Sequence, residues 1–481
     1  MCSSDLMKKV LSCFLLGLMI IGSACKKSDD TPDPDPGGDG NPPPENLTPD
    51  IRGVISADQH WTKDKTYRLR GYVYVNSGAT LTIDAGTKII SNKDSAGVLI
   101  IYRGAKIQAV GTAAEPIVFT SAEASPQPGD LGGVVIVGQA KGNGNHSVIE
   151  GGVDGAHSAF GGNDDADNSG TLKYVRIEYA GKAVNPGDEI NGLSLYAVGS
   201  GTTIDYVQVI RGLDDAFEFF GGTVNCKHLI AYNCADDDFD MDDGYRGKIQ
   251  FAISIKDPAF VDAKTGSNAG DKSNNFEVDN VNPANGFLLS RAPITSPTLS
   301  NFTLIGPNNA AGTVTADYGW SMRWRRGAQF VLANSIALGG QLGGLRLQED
   351  STIAYFVRGS SVFYNSFLKA YQNDIDLEKN PNAPPLYRPI AGGTVYDLAS
   401  VTDEVTGSNK SIIMSSVDDA KLADPFNNAA PNVKPNTGSP VLTGALFDFG
   451  LLSDAFFDKV AFRGALDASD DWTAQWTVWN K

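Results

Sequence analysis

The sequence is short of positive charge, of histidine and of long apolar runs. Its 481 residues carry 39 Lys and Arg against 56 Asp and Glu, for a net charge of −17. Because sequence-independent binding to phosphates needs a basic surface, this balance argues against a nucleic-acid partner. The one long apolar run is N-terminal, which excludes a transporter or channel with many spans. The 4 histidines are scattered without metal-ligand spacing.

Cysteine is also scarce, and most of it lies near the N-terminus. Of the 5 cysteines, only Cys226 and Cys234 fall within the body of the chain. Two cysteines at this spacing form no metal-binding signature. We predict that they are packed thiols rather than a disulfide, although an exported protein could form one.

The N-terminal residues have the pattern of an export signal. Val10–Ile21 is almost wholly apolar and follows two lysines. About a dozen residues is too short to span a bilayer but suits the core of a signal peptide, which we assign to residues 1–24. Residues 1–6 precede a natural start at Met7, and we interpret them as an artefact of sequence assembly.

The end of the signal peptide resembles a bacterial lipobox. Small residues at 22–24 directly precede Cys25, although Gly22 stands where leucine is commoner. This resemblance implies cleavage before Cys25 and its lipidation. Residues 25–50 are rich in Pro, Asp and Gly, which predicts a disordered tether. An acidic cluster behind the lipid cysteine is similar to the surface-export signal of Bacteroidetes lipoproteins, and a plain periplasmic linker is the alternative.

Internal repeats predict the fold of the body. Thr171–Ile177, Thr203–Val209 and Asn225–Ala231 are similar to one another, and the strand at Phe217 recurs 22 residues later at Phe239. Short strands in coils of this length, without helices between them, are typical of a parallel β-solenoid. We predict an all-β protein with a right-handed parallel β-helix over residues 51–430, and a pair of β-sandwiches is the alternative.

Several motifs resemble those of a known group. Gly78–Thr87, Ser169–Tyr179, Asp236–Tyr245 and the tail Phe457–Trp479 are similar to segments of Bacteroidetes surface lipoproteins with a pectate-lyase-like β-helix. The resemblance implies a lipid-anchored solenoid but no particular reaction. We expect residues 431–481 to form a C-terminal segment that caps the open end of the helix.

The aligned strands predict two outward columns of side chains on one face. The first column is Ser194, Glu218, Asp240, Glu277, Arg323 and Arg346. The second column is Tyr196, Phe220, Asp242, Asp279, Arg325 and Gln348. Two carboxylates ~4.8 Å apart on neighbouring rungs repel by about 0.9 kcal/mol in water and more when partly buried. A cation, raised pKa values, the adjacent arginines or hydration must offset this repulsion.

These columns predict a ligand face. The candidate metal ligands, which would suit Ca²⁺ as the cofactor, are Asp240, Asp242, Glu277 and Asp279. The candidate ligand-binding residues are Glu218, Arg323, Arg325 and Arg346, because arginine pairs with the acidic groups of glycans. A solvated charge ladder with no ligand is the alternative.

Two enzymatic interpretations stay open beside binding. β-helix polysaccharide lyases use calcium to acidify a sugar proton and a basic group to remove it. The aspartates at 214–215 and 236–238, one coil apart, are similar to the paired carboxylates of β-helix glycoside hydrolases. We favour a structural role for them, because Asn191, Asp215, Asp237 and Asn274 occupy one turn position, as in a ladder of Asx hydrogen bonds. The polar stretch Gly151–Gly170 predicts an exposed loop.

We therefore predict a non-enzymatic outer-membrane lipoprotein that faces the cell exterior. Its partners would be the membrane, through the lipid, and a polysaccharide, in particular an acidic one, or a surface protein. A lyase, a hydrolase and a structural or adhesion module are the alternatives.

Overall fold

The structure, a computed structural model, describes residues 50–185, 188–262, 271–378 and 396–480. Its main strands pair in parallel, coil upon coil, so that each coil contributes to three faces. We call the first of these face 1. Its strands are β1 (Ile51–Ile55), the second half of β3 (Thr66–Val75), β6 (Val98–Ile101), β9 (Gly133–Val137), β13 (Leu193–Tyr196), β15 (Phe217–Phe220), β17 (Phe239–Asp242), β19 (Phe276–Val278), β21 (Trp320–Trp324), β24 (Gly343–Gln348) and β27 (Asn373–Glu378).

Faces 2 and 3 share a set of long, bent strands. The bent strands are β10 (Gly170–Glu178), β14 (Thr203–Ile210), β16 (Asn225–Tyr232), β18 (Lys248–Ile255) and β20 (Thr298–Ile305). Face 2 also contains β2 (Gln59–Trp61), β4 (Thr80–Ile83), β7 (Lys106–Val110), β22 (Val331–Ala333) and β25 (Val362–Tyr364). Face 3 also contains the first half of β3, β5 (Lys88–Ser91), β8 (Ile117–Ser121), β23 (Ile336–Leu338), β26 (Phe367–Lys369) and β28 (Ile412–Ile413).

The remaining described elements are short. Two antiparallel pairs lie outside the coils: β11 (Lys182–Asn185) with β12 (Asp188–Ile190), and β29 (Leu422–Asp424) with β30 (Asn432–Pro435). The α-helices are α1 (Asp350–Val357) and α2 (Leu398–Asp403), and neither these nor any other described helix is long and apolar enough to cross a membrane. The chain is thus a right-handed parallel β-helix, as its repeats predict.

The core confirms the predicted orientation of the repeats. Alternate residues of a strand point to opposite sides of the sheet. The apolar members of the face 1 strands, such as Phe217, Phe239 and Trp324, are fully buried in one continuous core. Their partners therefore point outwards, where the predicted columns lie. Cys226 and Cys234 are buried and unbridged, as predicted, and burial raises the pKa of the Cys234 thiol to about 12.

The strands shared by faces 2 and 3 bend at residues in a left-handed backbone conformation. These residues, with φ values between 51° and 62°, are Tyr174, Tyr206, His228, Phe251 and Asn301. Side chains other than Asn and Asp adopt this conformation only at a cost in free energy. Stacking of neighbouring rings offsets the cost, with ring centroids 4.3 Å apart for Tyr174 and Tyr206 and 4.1 Å apart for Tyr206 and His228.

The end of the described chain lies along this row of bends, which Asn334 continues with a φ of 50°. The Asn334 Nδ2–H group donates to the carbonyl of Leu446 (2.8 Å), and the Asn301 Nδ2–H group donates to the carbonyl of Phe462 (3.0 Å). Farther on, Trp476 is fully buried against the rings of the first bends. The tail therefore runs back towards the N-terminal coils.

This placement differs from the expected cap. The tail covers the side of the helix, because the bends expose amides and aromatic rings there that need partners. At the last coils, α1 and the segment around α2 contribute Ile353, Phe356, Val401 and Val405 to the main core. The last paired strand of the coils is β28, so the helical coils end before residue 430. The signal peptide, Cys25 and the tether, at residues 1–49, lie outside the described residues.

Candidate functional site

Face 1 carries the predicted outward column. The parallel register aligns Glu218 with Asp240, Asp240 with Glu277, and Glu277 with Arg323. It continues from Arg323 to Arg346. The aligned apolar-polar-apolar strand motifs therefore predict these neighbours correctly, although only Glu218 and Asp240 are 22 residues apart. The column passes from acidic to basic along the helix.

The N-terminal part of face 1 is covered. Its outward side chains are apolar, among them Tyr74, Val135, Tyr196 and Phe220, and they form a separate cluster with residues of a long loop. In this loop, which spans residues 142–168, His157 is 7% exposed and stacks on Tyr74 with ring centroids 4.0 Å apart. The stretch Gly151–Gly170, predicted to be an exposed loop, is thus partly a packed cover. Glu218 and Asp240 are the first members of the polar column that are partly exposed.

One end of the covering loop is held by a charged histidine. His146 Nδ1 lies 3.0 Å from Asp243 Oδ1, and Asp242 and Glu150 lie within 3.9 Å. Burial opposes protonation of the imidazole, but the hydrogen bond to Asp243 and the neighbouring carboxylates outweigh it and raise the pKa of His146 to about 10. Of the candidate metal ligands, Asp242 belongs to this group and not to the group around Asp240.

The centre of the site is a group of carboxyls that we call the acidic cluster: Asp215, Glu218, Asp237, Asp240 and Glu277. Oxygens of Asp215, Glu218 and Asp240 lie within 4.8 Å of one another, as do those of Asp237, Asp240 and Glu277. Glu218 and Asp240 are the partly exposed members. The Asp240 Oδ1 atom is buried and has no hydrogen-bond partner in the described part of the chain.

The members of the cluster resist ionisation. Burial, and after it the charges of Glu277 and Asp242, raises the pKa of Asp240 well above its usual value. Burial and the charge of Glu150 likewise raise the pKa of Glu218. Within the described ranges no salt bridge joins Asp215, Glu218 or Asp240 to a cation.

A buried lysine lies close to the cluster but has its own partner. Lys256 Nζ is 3.1 Å from Asp238 Oδ1, and both side chains are almost inaccessible. The ammonium also donates to the carbonyl of Asp236. Burial and the charges of acidic neighbours raise the pKa of Asp237 well above its usual value. The charge of Lys256 offsets only part of this rise.

Arginines neutralise the next rungs of the column. Arg323 Nη1 is 2.8 Å from Glu277 Oε2, and Arg325 Nε is 2.6 Å from Asp279 Oδ1. Arg325 also pairs with Glu277, and Arg326 pairs with Asp279 at 2.7 Å. Burial would raise the pKa of Asp279, but these arginines hold it below its usual value. Two of the candidate metal ligands, Glu277 and Asp279, are therefore ion-paired.

The last predicted arginine is occupied as well. Arg346 pairs with Asp376 and Glu378, and its guanidinium carbon lies 4.0 Å from the centre of the Trp320 ring. The candidate ligand-binding arginines thus bind carboxylates of this chain. Of the predicted residues, the structure brings together Glu218, Asp240 and Glu277.

The ladder of Asx hydrogen bonds is present from Asp215 to Asn274 and overlaps the acidic cluster, whereas the predicted first member, Asn191, donates from its side-chain amide to Glu218. The Asp237 N–H group donates to Asp215 Oδ1 (2.8 Å), and the Asn274 N–H group donates to Asp237 Oδ1. The Trp320 N–H group donates in turn to Asn274 Oδ1 (2.9 Å). The sequence predicts the ladder for Asp215 and Asp237 but not their place in the cluster.

Comparison with known proteins identifies the architecture. A family model described as a pectate-lyase like beta helix domain matches residues 53–412. No curated protein and no solved structure gives a significant match.

Proposed function

The chain belongs to the family of pectate-lyase-like β-helix domains, and from that premise we propose that it binds an acidic polysaccharide outside the cell at the acidic cluster on face 1. The supporting observation is that the open part of this face begins with carboxyls that have no cationic partner among the described residues. Carboxylate oxygens accept hydrogen bonds from sugar hydroxyls and bind hard cations. The flat stack of rungs offers an extended chain a matching extended surface.

Calcium fits this cluster. Asp215, Glu218 and Asp240 would hold the ion, since their oxygens converge and Asp240 Oδ1 has no other described partner. Glu277 is a weaker ligand because Arg323 and Arg325 already pair with it. Bound calcium would supply positive charge that offsets the repulsion among these carboxylates and attracts the carboxylates of an acidic glycan. The residues of the chain would bind and orient the glycan without a chemical step.

The proposal predicts that an acidic polysaccharide binds in the presence of calcium and that this binding requires the acidic cluster. Calorimetry of the purified full-length chain with CaCl₂, and then with hexagalacturonate as the acidic probe, should show binding that chelator abolishes. The double variant Glu218→Gln/Asp240→Asn should lose at least about tenfold in affinity for both ligands, because it removes two charges from the site.

The matched control is Asp470→Asn, which removes one exposed carboxylate of the tail. It should bind both ligands as the unmodified chain does. Hexagalacturonate that binds the double variant and the unmodified chain equally well would contradict the proposal.

A glycoside hydrolase is a second candidate function, favoured by the raised pKa values of the cluster. A carboxyl that stays protonated near neutral pH can donate a proton to a glycosidic oxygen, and a nearby carboxylate can activate water. A lyase finds less support, since Arg323 and Arg325, the basic groups beside the cluster, are bound to Glu277 and Asp279. Release of shorter sugars from a bound polymer separates the hydrolase from a pure binding protein.

We also propose that Cys25 is lipidated and that the chain is held on the outside of the outer membrane, as in Bacteroidetes lipoproteins. The support is the lipobox-like pattern and the acidic tether behind it. Metabolic labelling with a fatty acid should mark the unmodified chain and not Cys25→Ser, and protease added to intact cells should digest the labelled chain. Labelled chain that protease reaches only after the outer membrane is opened would contradict surface display.

A further inference from the structure

A cleft of about 370 Å³ lies on the turns that lead into the strands of face 1. It is formed where turns of successive coils approach each other, near Lys93, Pro128, Gly181 and Leu213. Gly181 permits the approach, because its φ of +108° suits glycine and a Cβ atom there would lie 2.6 Å from the Leu213 nitrogen.

The lining of the cleft suits a sugar ring. Ala96, Pro128 and Leu213 form its more buried, apolar part, while Lys93, Asp94 and Gln127 are exposed. A sugar ring has an apolar face of C–H groups and a rim of polar groups, and the volume is within the ~300–1,000 Å³ range of small-ligand sites.

Lys93 differs from the predicted arginines of face 1 in its charge partners. Those arginines are paired with carboxylates of this chain, whereas the Lys93 ammonium forms no ion pair within the described ranges. A free ammonium at the rim is the group expected to receive the carboxylate of an acidic sugar. Asp130, which also lines the cleft, is already engaged, since its Oδ2 accepts hydrogen bonds from Ser121 (2.6 Å) and from the Gln127 N–H group (2.8 Å).

The cleft is close to the acidic cluster along the chain. Leu213 is held in place by its N–H group, which donates to the Ala180 carbonyl (2.8 Å). Two residues later comes Asp215 of the cluster, and two extended residues span at most ~7 Å. The cleft therefore begins within ~7 Å of a residue of the cluster, a distance that a polysaccharide bound there would cover.

We propose that this cleft is a second subsite that binds one acidic sugar ring of the same polysaccharide, with Lys93 as the partner of its carboxylate. The inference rests on the proposed function, because it extends the binding site from the acidic cluster. Under this proposal, Lys93 and Leu213 make the protein bind long sugar chains more tightly than short ones.

The test compares a short and a long probe on the full-length chain with calcium present. Lys93→Gln and Leu213→Trp, which fills the cleft, should each weaken binding of hexagalacturonate by about tenfold and leave binding of digalacturonate at the cluster unchanged. The matched controls are Lys65→Gln and Leu451→Trp, both at exposed positions, which should bind both probes normally.

The outcomes separate the two proposals. If both cleft variants bind hexagalacturonate normally while Glu218→Gln/Asp240→Asn loses it, the cleft is not a subsite and the proposed function stands. If both probes bind the unmodified chain and every variant equally well, or if neither probe binds any of these proteins, the proposed function fails and the subsite fails with it. An equal loss of both probes in Leu213→Trp would show that the substitution disturbs the cluster, and Lys93→Gln would then decide the matter.

Discussion

Arg325→Ala is expected to lower the free energy of unfolding by about 3 kcal/mol. The Arg325 side chain is 11% exposed, and it pairs with Glu277 and Asp279, which are 6% and 4% exposed. Removing one partner of a buried ion pair leaves the other charge without compensation in a place that water hardly reaches. The expected loss is at the lower end of the usual range because Arg323 and Arg326 remain beside the two carboxylates.

Urea denaturation of the variant and the unmodified chain measures this loss. Arg52→Ala is the control. The Arg52 side chain is 67% exposed, so its removal should lower the free energy of unfolding only slightly. The triple variant Glu277→Gln/Asp279→Asn/Arg325→Met removes all three charges and should be more stable than Arg325→Ala. A loss below about 0.5 kcal/mol in Arg325→Ala would show that the arginine is not needed to hold these carboxylates.

The sequence alone predicts much of the architecture that brings these charges together. The coil length around Phe217 and Phe239 sets which residues pair between strands, and alternation within each strand sets which of them face outwards. The column from Glu218 to Arg346 follows from those two facts. The coil length and the alternation within a strand are both visible in the sequence. Neither depends on the conformations that the side chains adopt.

The pairings within the column are less predictable. Adjacent arginines and raised pKa values are two of four ways to relieve the repulsion, and the structure uses both in different places. Arg325 reaches Asp279, 46 residues away in the chain, whereas Asp240 keeps a raised pKa. Which solution applies depends on rotamers and burial, which the repeat does not determine.

Contacts made by insertions cannot be derived from the repeat. His146 lies 97 residues before Asp243 in a loop without repeat spacing, and the charge that holds the loop arises only when the two meet. One signal is available in the sequence: the continuous apolar run of β9 indicates a strand buried on both sides, and hence a cover over that part of face 1.

In the absence of calcium, the acidic cluster should make the protein lose stability as the pH rises above about 4, the ordinary pKa of a carboxyl. Folding raises the pKa values of Asp215, Glu218, Asp237 and Asp240 above their values in the unfolded chain. A raised folded-state pKa contributes stability that is fully present below the unfolded-state pKa and is lost as the pH rises through the folded-state pKa. A tenfold change in the proton affinity of one carboxyl on folding corresponds to about 1.4 kcal/mol.

The opposite behaviour of Asp279 sets the acidic limit of this window. Its pKa is lowered by Arg325 and Arg326, so its contribution is present above about pH 4, near its ordinary value, and is lost on acidification through the folded-state pKa. Stability should therefore be highest between the titration of the ion-paired carboxylates and that of the acidic cluster.

Asp240→Asn isolates the contribution of the cluster, because asparagine resembles the protonated carboxyl and cannot acquire charge. At pH 8 we expect the variant to exceed the unmodified chain in unfolding free energy by about 1–3 kcal/mol, the size of the repulsion between partly buried carboxylates on neighbouring rungs. Near pH 4 the advantage should vanish, since Asp240 is then protonated when folded. Melting curves across this range, with Asp470→Asn as the control, measure both values.

Calcium connects this stability difference to function. An ion bound by Asp215, Glu218 and Asp240 should raise the melting temperature of the unmodified chain at pH 8 far more than that of Asp240→Asn, because binding to the folded state adds stability in proportion to the logarithm of ligand concentration over Kd. An unmodified chain that melts at the same temperature at pH 5 and pH 8, and gains nothing from calcium, would contradict both the unrelieved repulsion and the metal site. If the pH dependence is present but calcium does not relieve it, the carboxyls titrate without binding the ion, and the hydrolase becomes the better-supported function.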